Sequence, residues 1–252
     1  MKTNANIKIQ LRNLHKSFGK KIILNGLDLN VHDKESFVVI GPSGVGKSVL
    51  LKCMLGLLPI DRGSIIVDGG ETSKLTGKKR NQFLKKFAIV FQGGALFDSM
   101  KIWENVAFGL IQGQGVPATL AKKLAIEKLE LVGMNAAVGE QRPNELSGGM
   151  QKRVAIARAI IMEPEILLFD EPTAGLDPVT ANLINQLIRK CHDDLNITTF
   201  TITHDMSTVH TVADRVGMLN DGKIIWEGTL KEIAKSDNHF VQQFIHQQTF
   251  ED

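Results

Sequence analysis

The chain has 252 residues, of which 43% are apolar and 23% are charged, and its formal net charge is +3. This length suits one large α/β domain, and the ordinary composition excludes a largely disordered chain. The small net charge gives no argument for a nucleic-acid partner. Its two cysteines, Cys53 and Cys191, match no metal-binding spacing and no disulfide framework, so we expect buried, reduced thiols of a cytosolic protein.

Membrane insertion is not expected from the sequence. No apolar run approaches the roughly 18 residues that a membrane-spanning helix needs. The opening MKTNANIKIQ lacks the apolar segment of a signal peptide. We therefore expect any membrane role to act through a partner.

Strand patterns dominate the first third of the chain. Residues 7–14 alternate between apolar and polar side chains, as a half-buried strand does. Next we expect a second strand pair in 22–31, a short buried strand ending at Gly41 and a helix at 49–58. The segments SIIVDG and FAIVFQ predict two further strands.

Helical periodicity takes over after these strands. The pattern is almost wholly helical over 97–161, and strands return at 165–170 and 198–204 with a helix at 178–195 between them. A hairpin is predicted to turn at 220–222. The last predicted element is a short helix at 238–248 with four apolar side chains on one side, either packed on its own core or docked on another chain: Phe240, Val241, Phe244 and Ile245.

We therefore predict a single α/β domain over 1–252 in which a helical block interrupts a sheet. The core and a β-subdomain comprise 1–92 and 161–236, the helical block 93–160, and a short helical tail 237–252. No internal repeat or linker divides the chain.

The segment GPSGVGKS, residues 41–48, matches the phosphate-binding pattern G-x4-G-K-[ST]. It follows a predicted strand and opens a helix, which is the context that the motif requires. In such a loop successive backbone N–H groups point at phosphates, the lysine (Lys47) reaches the β- and γ-phosphates, and the hydroxyl of Ser48 binds Mg²⁺.

Polar residues end three other predicted strands. Asp170 and Glu171 follow an apolar strand, which suits an acid that holds Mg²⁺ through water and a base that activates a water molecule. They could otherwise serve only to cap the next helix. Gln92 is placed to touch the metal or the attacking water, and His204 to bond a γ-phosphate or to be a satisfied core histidine.

A second candidate anion site lies in NELSGGMQKRVAIARAI. Ser147, Gly148 and Gly149 precede a predicted helix, so their backbone N–H groups would face an anion at its N-terminus. Asp177, in AGLDP, either starts a helix or joins two active sites across an interface.

In their order these motifs resemble those of ABC-type ATPase subunits over essentially the whole chain. The resemblance implies a P-loop NTPase fold with a RecA-like core sheet, an N-terminal antiparallel β-subdomain and an inserted helical subdomain. It also implies a head-to-tail homodimer that hydrolyses ATP with Mg²⁺, in which one subunit's signature loop (147–149) closes on the partner's ATP. Two departures stand out: Met150 replaces the usual glutamine, and Phe18 replaces the usual adenine-stacking tyrosine, since the chain has none.

The resemblance assigns a role to each motif residue. Glu171, His204 and Gln92 are catalytic, Asp177 makes a dimer contact, and Ser147, Gly148 and Gly149 bind the partner's nucleotide. Magnesium is held by Ser48, Gln92 and Asp170. The ATP-binding residues of the chain itself are Phe18, Gly41, Pro42, Ser43, Gly44, Val45, Gly46, Lys47, Ser48 and Val49.

Two longer stretches, FQGGALFDSMKIWENVAF and LSGGMQKR, resemble the ATPases of Mla-type lipid transporters. That likeness implies a subunit at the cytoplasmic side of the inner membrane that energises phospholipid transport. Its partners would be an MlaE-type permease, an MCE-domain lipid-binding protein and, in some members, a STAS-domain subunit. The permease contact would use the apolar side chains of 93–108, which could equally be packed inside the helical block.

Two other classes of protein share some of these motifs. A non-transport ABC ATPase of the iron–sulfur assembly or translation type usually differs after the glutamine or carries a second cassette. A phosphate-loop GTPase or small-molecule kinase lacks LSGG, and no N-K-x-D base-reading motif is present here.

Overall fold

The computed structural model describes residues 6–72 and 75–248, without the side chains of 246–248. The remaining positions of the predicted 1–92 and 237–252 segments lie outside the described residues. A four-stranded antiparallel sheet has the order β2-β1-β4-β5. Its strands are β1 (Ile7–Phe18), β2 (Lys21–His32), β4 (Arg62–Val67) and β5 (Gly70–Glu71).

A second sheet of six strands has the order β10-β9-β3-β8-β7-β6. All of its pairings are parallel except the hairpin of β9 and β10. The carboxyl ends of β3, β7 and β8 therefore lie on one edge, where a doubly wound sheet places its ligands. The strands are β3 (Ser36–Ile40), β6 (Phe87–Val90), β7 (Ile166–Asp170), β8 (Thr198–Thr203), β9 (Arg215–Asn220) and β10 (Lys223–Thr229).

Strand β3 is buried on both faces, which explains its continuous apolar run. Phe37 and Val39 pack with the antiparallel sheet and the first helix. Val38 and Ile40 pack with the later helices. The six-stranded sheet is thus the middle layer between two cores, consistent with the predicted α/β class.

Nine α-helices lie within the described residues. The chain between β6 and β7 contains three of them (α3 to α5), a π-helical turn at Gly109–Gly113 and two short 3₁₀ turns. The α-helices are α1 (Lys47–Met54), α2 (Gly77–Leu84), α3 (Ile102–Phe108), α4 (Ala118–Leu131), α5 (Gly148–Ile160), α6 (Pro178–Leu195), α7 (Met206–Val212), α8 (Leu230–Ile233) and α9 (His239–Gln248).

Two local predictions were wrong. Residues 22–31 belong to one strand, β2, and not to a strand pair. The pairing register of β2 with β1 shifts at several points, so the strand continues although the alternation of apolar and polar residues is interrupted. In α9, Val241 and Phe244 pack on the chain's own core, but Phe240 is exposed. The buried thiols of Cys53 and Cys191 and the β9–β10 hairpin are confirmed. No helix in the described ranges has the length and apolar character needed to cross a bilayer.

Candidate nucleotide site

The loop 41–48 joins β3 to α1, and glycine is required at two of its turns. Gly41 has a φ of 154°, and a Cβ there would lie 2.4 Å from the carbonyl oxygen of Leu219. Gly46 has a φ of 111°, and a Cβ there would lie 2.7 Å from Cγ2 of Ile23. Larger residues would therefore strain or displace the loop, which fits the predicted phosphate-binding backbone.

Lys47 begins α1 and points its amine into this loop. Its Nζ donates hydrogen bonds to the carbonyl oxygens of Gly41, at 2.6 Å, and Pro42, at 3.2 Å. The amine also lies 3.5 Å from Oε1 of Glu171. Burial lowers the pKa of Lys47, and the nearby Glu171 carboxylate offsets part of that lowering. The lysine is thus a desolvated cation, which attracts a polyanion more strongly than an exposed one.

Glu171 lies just beyond β7 in the left-handed region, with a φ of 47°. Its backbone N–H donates to the carbonyl of Ile202, and its Oε2 accepts a hydrogen bond from the backbone N–H of His204, at 3.3 Å. Nδ1 of His204 lies 2.9 Å from the same oxygen. The strained backbone is held by these contacts and directs the carboxylate towards the phosphate loop.

Asp170 and Ser48 form the second pair at this edge. The hydroxyl of Ser48 donates to Oδ1 of Asp170 over 3.1 Å. Burial raises the pKa of Asp170, with the charge of Glu171 adding to the rise, whereas the Ser48 hydrogen bond opposes it. A buried carboxylate beside a second carboxylate is stabilised by a cation, and carboxylate and hydroxyl oxygens suit Mg²⁺. These residues therefore fit a magnesium ion.

A cleft of about 290 Å³ brings nine predicted site residues together. Val45 lines a neighbouring hollow with the start of β2, and Phe18 is 49% exposed with the amine of Lys16 5.3 Å from its ring centre. The signature residues and Asp177 do not line the cleft. Its lining residues are Ser43, Gly44, Gly46, Lys47, Ser48, Val49, Gln92, Glu171 and His204.

The signature residues form the N-terminus of α5, as predicted. Ser147 is the N-cap, and its hydroxyl oxygen accepts from the N–H of Met150 at 3.4 Å. Ser147 and Gly148 are exposed. Asp177 is the N-cap of α6 and accepts from the N–H of Thr180 at 3.0 Å. Hydrogen bonds from the side chain and then the backbone of Thr180 lower the pKa of Asp177. Both helices thus present their capped N-termini close to each other.

Sequence reasoning missed three side chains that hold the chain after β6. Lys152 donates to the carbonyl of Gln92, and Arg158 donates to the carbonyls of Gly94 and Ala95. Asn105, fully buried, accepts from the N–H of Phe97 at 2.7 Å and donates to nearby carbonyls. From sequence, charged and amide side chains in a helix are expected to face solvent. The only indication that these three face inward was their spacing along the helices.

Comparison with known proteins supports a nucleotide site in this chain. Residues 24–174 match the ABC transporter family. The ATP-binding protein MlaF of the intermembrane phospholipid transport system of Haemophilus influenzae is 36% identical, over 96% of this chain and 91% of its own. The probable ribonucleotide transport ATP-binding protein mkl of Mycobacterium leprae is 37% identical, over 95% of this chain and 69% of its own.

A solved structure gives the same result for the fold. A dimeric ATP-binding cassette in a post-hydrolysis state, with ADP and Pi bound, superposes with a TM-score of 0.80 at 32% identity. The match covers 88% of this chain and 98% of that one. The chain therefore belongs to the ABC transporter family as an ATP-binding, ATP-hydrolysing subunit, which confirms the expected family, fold and activity.

Proposed function

We propose that the chain works as a homodimer and energises phospholipid transport through a separate permease. The cargo proposal is supported by the similarity to MlaF over nearly the full length of both chains. The similarity to the mkl protein, whose name gives a different cargo, makes ribonucleotide transport the second candidate. The two sequence identities, 36% and 37%, differ by one percentage point. The choice therefore rests on the covered share of each relative's own length, which is 91% for MlaF and 69% for the mkl protein.

The homodimer proposal is supported by the position of the signature residues. Ser147 and Gly148 are exposed at the start of α5 and do not line the cleft that holds Lys47 and Glu171. A helix N-terminus that faces away from its own phosphate loop can bind an anion held by a second copy. The neighbour with ADP and Pi is itself a dimer. In this proposal Asp177, capping α6 beside α5, lies at the interface, and 93–160 acts as a signature subdomain on a core of 1–92 and 161–236.

We further propose the roles of the cleft residues in ATP hydrolysis. The phosphates of ATP take the place of the Gly41 and Pro42 carbonyls and of the Glu171 carboxylate as partners of the Lys47 amine. That exchange releases Glu171 to accept a proton from an attacking water, while His204, 2.9 Å from Glu171, steadies the γ-phosphate. Phe18 stacks on the adenine from its exposed position at the end of β1.

Ser48, Asp170 and Gln92 would hold the magnesium ion, with Asp170 acting through water. When bound, Mg²⁺ neutralises charge on the β- and γ-phosphates. The hydroxyl–carboxylate pair and the raised pKa of Asp170, caused by burial, support this assignment.

The partner proposal places the dimer on the cytoplasmic side of the inner membrane, bound to an MlaE-type permease. An MCE-domain lipid-binding protein completes the proposed complex, with a STAS-domain subunit as the further component that some members of this group carry. Phe97, in the chain segment that follows Gln92, is 42% exposed, and Leu57, just after α1, is 54% exposed. Leu96, Trp103 and Phe108 instead have their rings or chains against neighbouring residues. Exposed apolar side chains near the cleft suit a contact with a permease.

The test is transport by the complex that co-purifies with the tagged chain from gently solubilised host membranes. After reconstitution, ATP is expected to drive transfer of a fluorescent phospholipid to acceptor vesicles, and Glu171→Gln to abolish it. Uptake of a labelled ribonucleotide instead would favour the second candidate. Recovery of soluble partners only would overturn the transport proposal in favour of a non-transport ABC ATPase.

A further inference from the structure

The segment between β6 and α3 contains a loop, 91–98, that we name the Gln92 loop. It contains a turn in which the N–H of Gly94 donates to the carbonyl of Phe91, at 2.8 Å, and three of its carbonyls accept hydrogen bonds from helix α5. Lys152 donates to the carbonyl of Gln92. Arg158 donates through Nη2 to Gly94, at 2.6 Å, and through Nη1 to Ala95, at 2.8 Å. Two cations of one helix thus bind three carbonyls of this loop.

The backbone of the loop depends on these contacts. Gly94 has a φ of 70° and Ala95 a φ of 49°, so two consecutive residues adopt the left-handed conformation, which costs energy for alanine. The planar guanidinium of Arg158 spans both of their carbonyls in one geometry. A strained loop outside any sheet keeps one conformation only where its surroundings impose it.

Lys152 is the lysine of α5 and is only 6% exposed. Burial lowers the pKa of its amine, and the charges of Asp170 and Glu171 offset part of that effect. The buried ammonium therefore bonds the Gln92 loop and is attracted by the two carboxylates of the cleft. Removing the acceptor of this buried ammonium would lower the stability of the chain by more than the hydrogen bond itself contributes.

We propose that Lys152 and Arg158 are positioning residues that fix the Gln92 loop to the signature helix, so that Gln92 follows any movement of Ser147–Gly149. The inference rests on the proposed role of Gln92 in hydrolysis. Helix α5 begins at the signature residues and carries both cations, six residues apart. Occupation of the signature end by a nucleotide would thus be transmitted through one rigid helix to a side chain in the cleft of the same subunit.

The experiment is a double-mutant cycle on the ATPase of the full chain with Lys152→Met and Gln92→Ala. Misplacing a group near the reacting atoms costs up to about a hundredfold in rate, so we expect Lys152→Met to lower kcat by roughly ten- to a hundredfold. The KM for ATP should stay near its original value, since Lys47 and the phosphate loop are untouched. The double variant should be no slower than the slower single variant, and Lys152→Arg should recover part of kcat.

Arg153 offers a matched control on the same helix. It also donates from α5 to a backbone carbonyl, that of Val132 at 2.7 Å, but this carbonyl ends α4 instead of belonging to the Gln92 loop. Arg153→Met is expected to combine multiplicatively with Gln92→Ala. If Lys152→Met does not fold, Arg158→Lys takes its place in the cycle. Lysine keeps the positive charge but cannot donate from two guanidinium nitrogens to the carbonyls of Gly94 and Ala95.

The outcomes separate the two proposals. An unchanged kcat in Gln92→Ala overturns the proposed role of Gln92 itself. A slow Gln92→Ala combined with an unchanged Lys152→Met, or with effects of the two that multiply, overturns the positioning inference and leaves the proposed function standing. The positioning inference is supported if the effect of Lys152→Met depends on Gln92 and the effect of Arg153→Met multiplies with that of Gln92→Ala.

Discussion

At the scale of single residues, the cleft is built from side chains that restrain one another. Glu171 accepts from His204 and faces the Lys47 amine, and Ser48 bonds Asp170. The carboxylates differ in partners although they are neighbours in sequence. Such separation of environments fits the proposed roles, in which Asp170 holds a cation and Glu171 accepts a proton.

Glu171→Gln is expected to lose hydrolysis and retain ATP binding. The amide keeps the size of the side chain but cannot accept a proton, and loss of a general base typically costs about 10²–10⁴ in rate. Phosphate release and nucleotide fluorescence measure the two properties. Glu163→Gln is a matched control, because Glu163 is also a left-handed glutamate, with a φ of 50°, but lies exposed away from the cleft. Near-normal turnover of Glu171→Gln would contradict the assigned role.

Asn185→Leu is expected to stabilise the chain. Asn185 is fully buried in α6, and neither its amide nitrogen nor its oxygen has a hydrogen-bond partner in the part of the chain that the structure describes. A buried polar group without a partner costs about 1–3 kcal/mol, so an apolar side chain should raise the free energy of unfolding by a similar amount. Urea unfolding measures it, with Asn182→Leu as the exposed control on the same helix. A lower midpoint for Asn185→Leu would show that the amide is satisfied.

At the scale of elements, the signature end of α5 is fitted against the capped start of α6. A Cβ on Gly149 would lie 2.5 Å from Cγ2 of Thr180, whereas one on Gly148 would lie 3.4 Å from Cδ2 of Leu176. The two glycines are therefore not equivalent. Gly149 allows the two helices to approach, and Gly148 tolerates a methyl group with little adjustment.

Gly149→Ala is expected to destabilise the chain, and Gly148→Ala to be nearly neutral. Overpacking of a close contact costs about 1–3 kcal/mol, and the free energy of unfolding of both variants measures the difference. Thr180→Ser removes the obstructing methyl group, so it should restore the stability of Gly149→Ala. Equal losses in both alanine variants, or no rescue, would contradict the proposed fit.

At the scale of the whole molecule, an ion-pair cluster joins the two sheets. Lys8 of β1 is 7% exposed, and its Nζ lies 2.9 Å from Asp68 and 2.5 Å from Glu165, which precedes β7. Lys86, before β6, bonds the same two carboxylates. The Lys8 hydrogen bond lowers the pKa of Glu165; burial raises that of Asp68, but the bonds from Lys86 and Lys8 outweigh it.

Lys8→Met is therefore expected to weaken the chain most at neutral pH. Carboxyl groups whose folded pKa is lowered contribute stability that is complete above their unfolded pKa of about 4 and is lost as the pH falls through the folded value. The gap in unfolding free energy between Lys8→Met and the parent chain should thus stay nearly constant from pH 7 to about 5 and narrow as the pH falls below about 4. Lys20→Met, in the exposed β1–β2 turn, is the control. A gap that stays constant with pH would contradict the prediction.

The sequence predicted what local pattern encodes. The phosphate loop, the acids that end β7 and the caps of α5 and α6 lie where short motifs placed them, because their residue types meet a local backbone need. The cations did not follow from pattern, since Lys8 meets Glu165 across 157 positions and Lys152 meets Gln92 across 60. Their partners are fixed by tertiary packing alone. Phe240 was misplaced for the related reason that only packing decides which apolar residues of a short helix are covered.

The strand order of the central sheet has a consequence for how the chain folds during synthesis. β3 takes β8 and β9 as neighbours, and Ser36 lies 163 residues before its partner Thr199. At about 5–20 residues per second, β3 leaves the ribosome roughly 8–30 s before an edge is available to pair with it. The antiparallel sheet, whose strands lie within 7–71, can close during that interval. A nascent chain therefore carries a folded β-subdomain with an unpaired apolar strand between β2 and β4, which makes this interval its period of greatest risk of aggregation and of need for a chaperone.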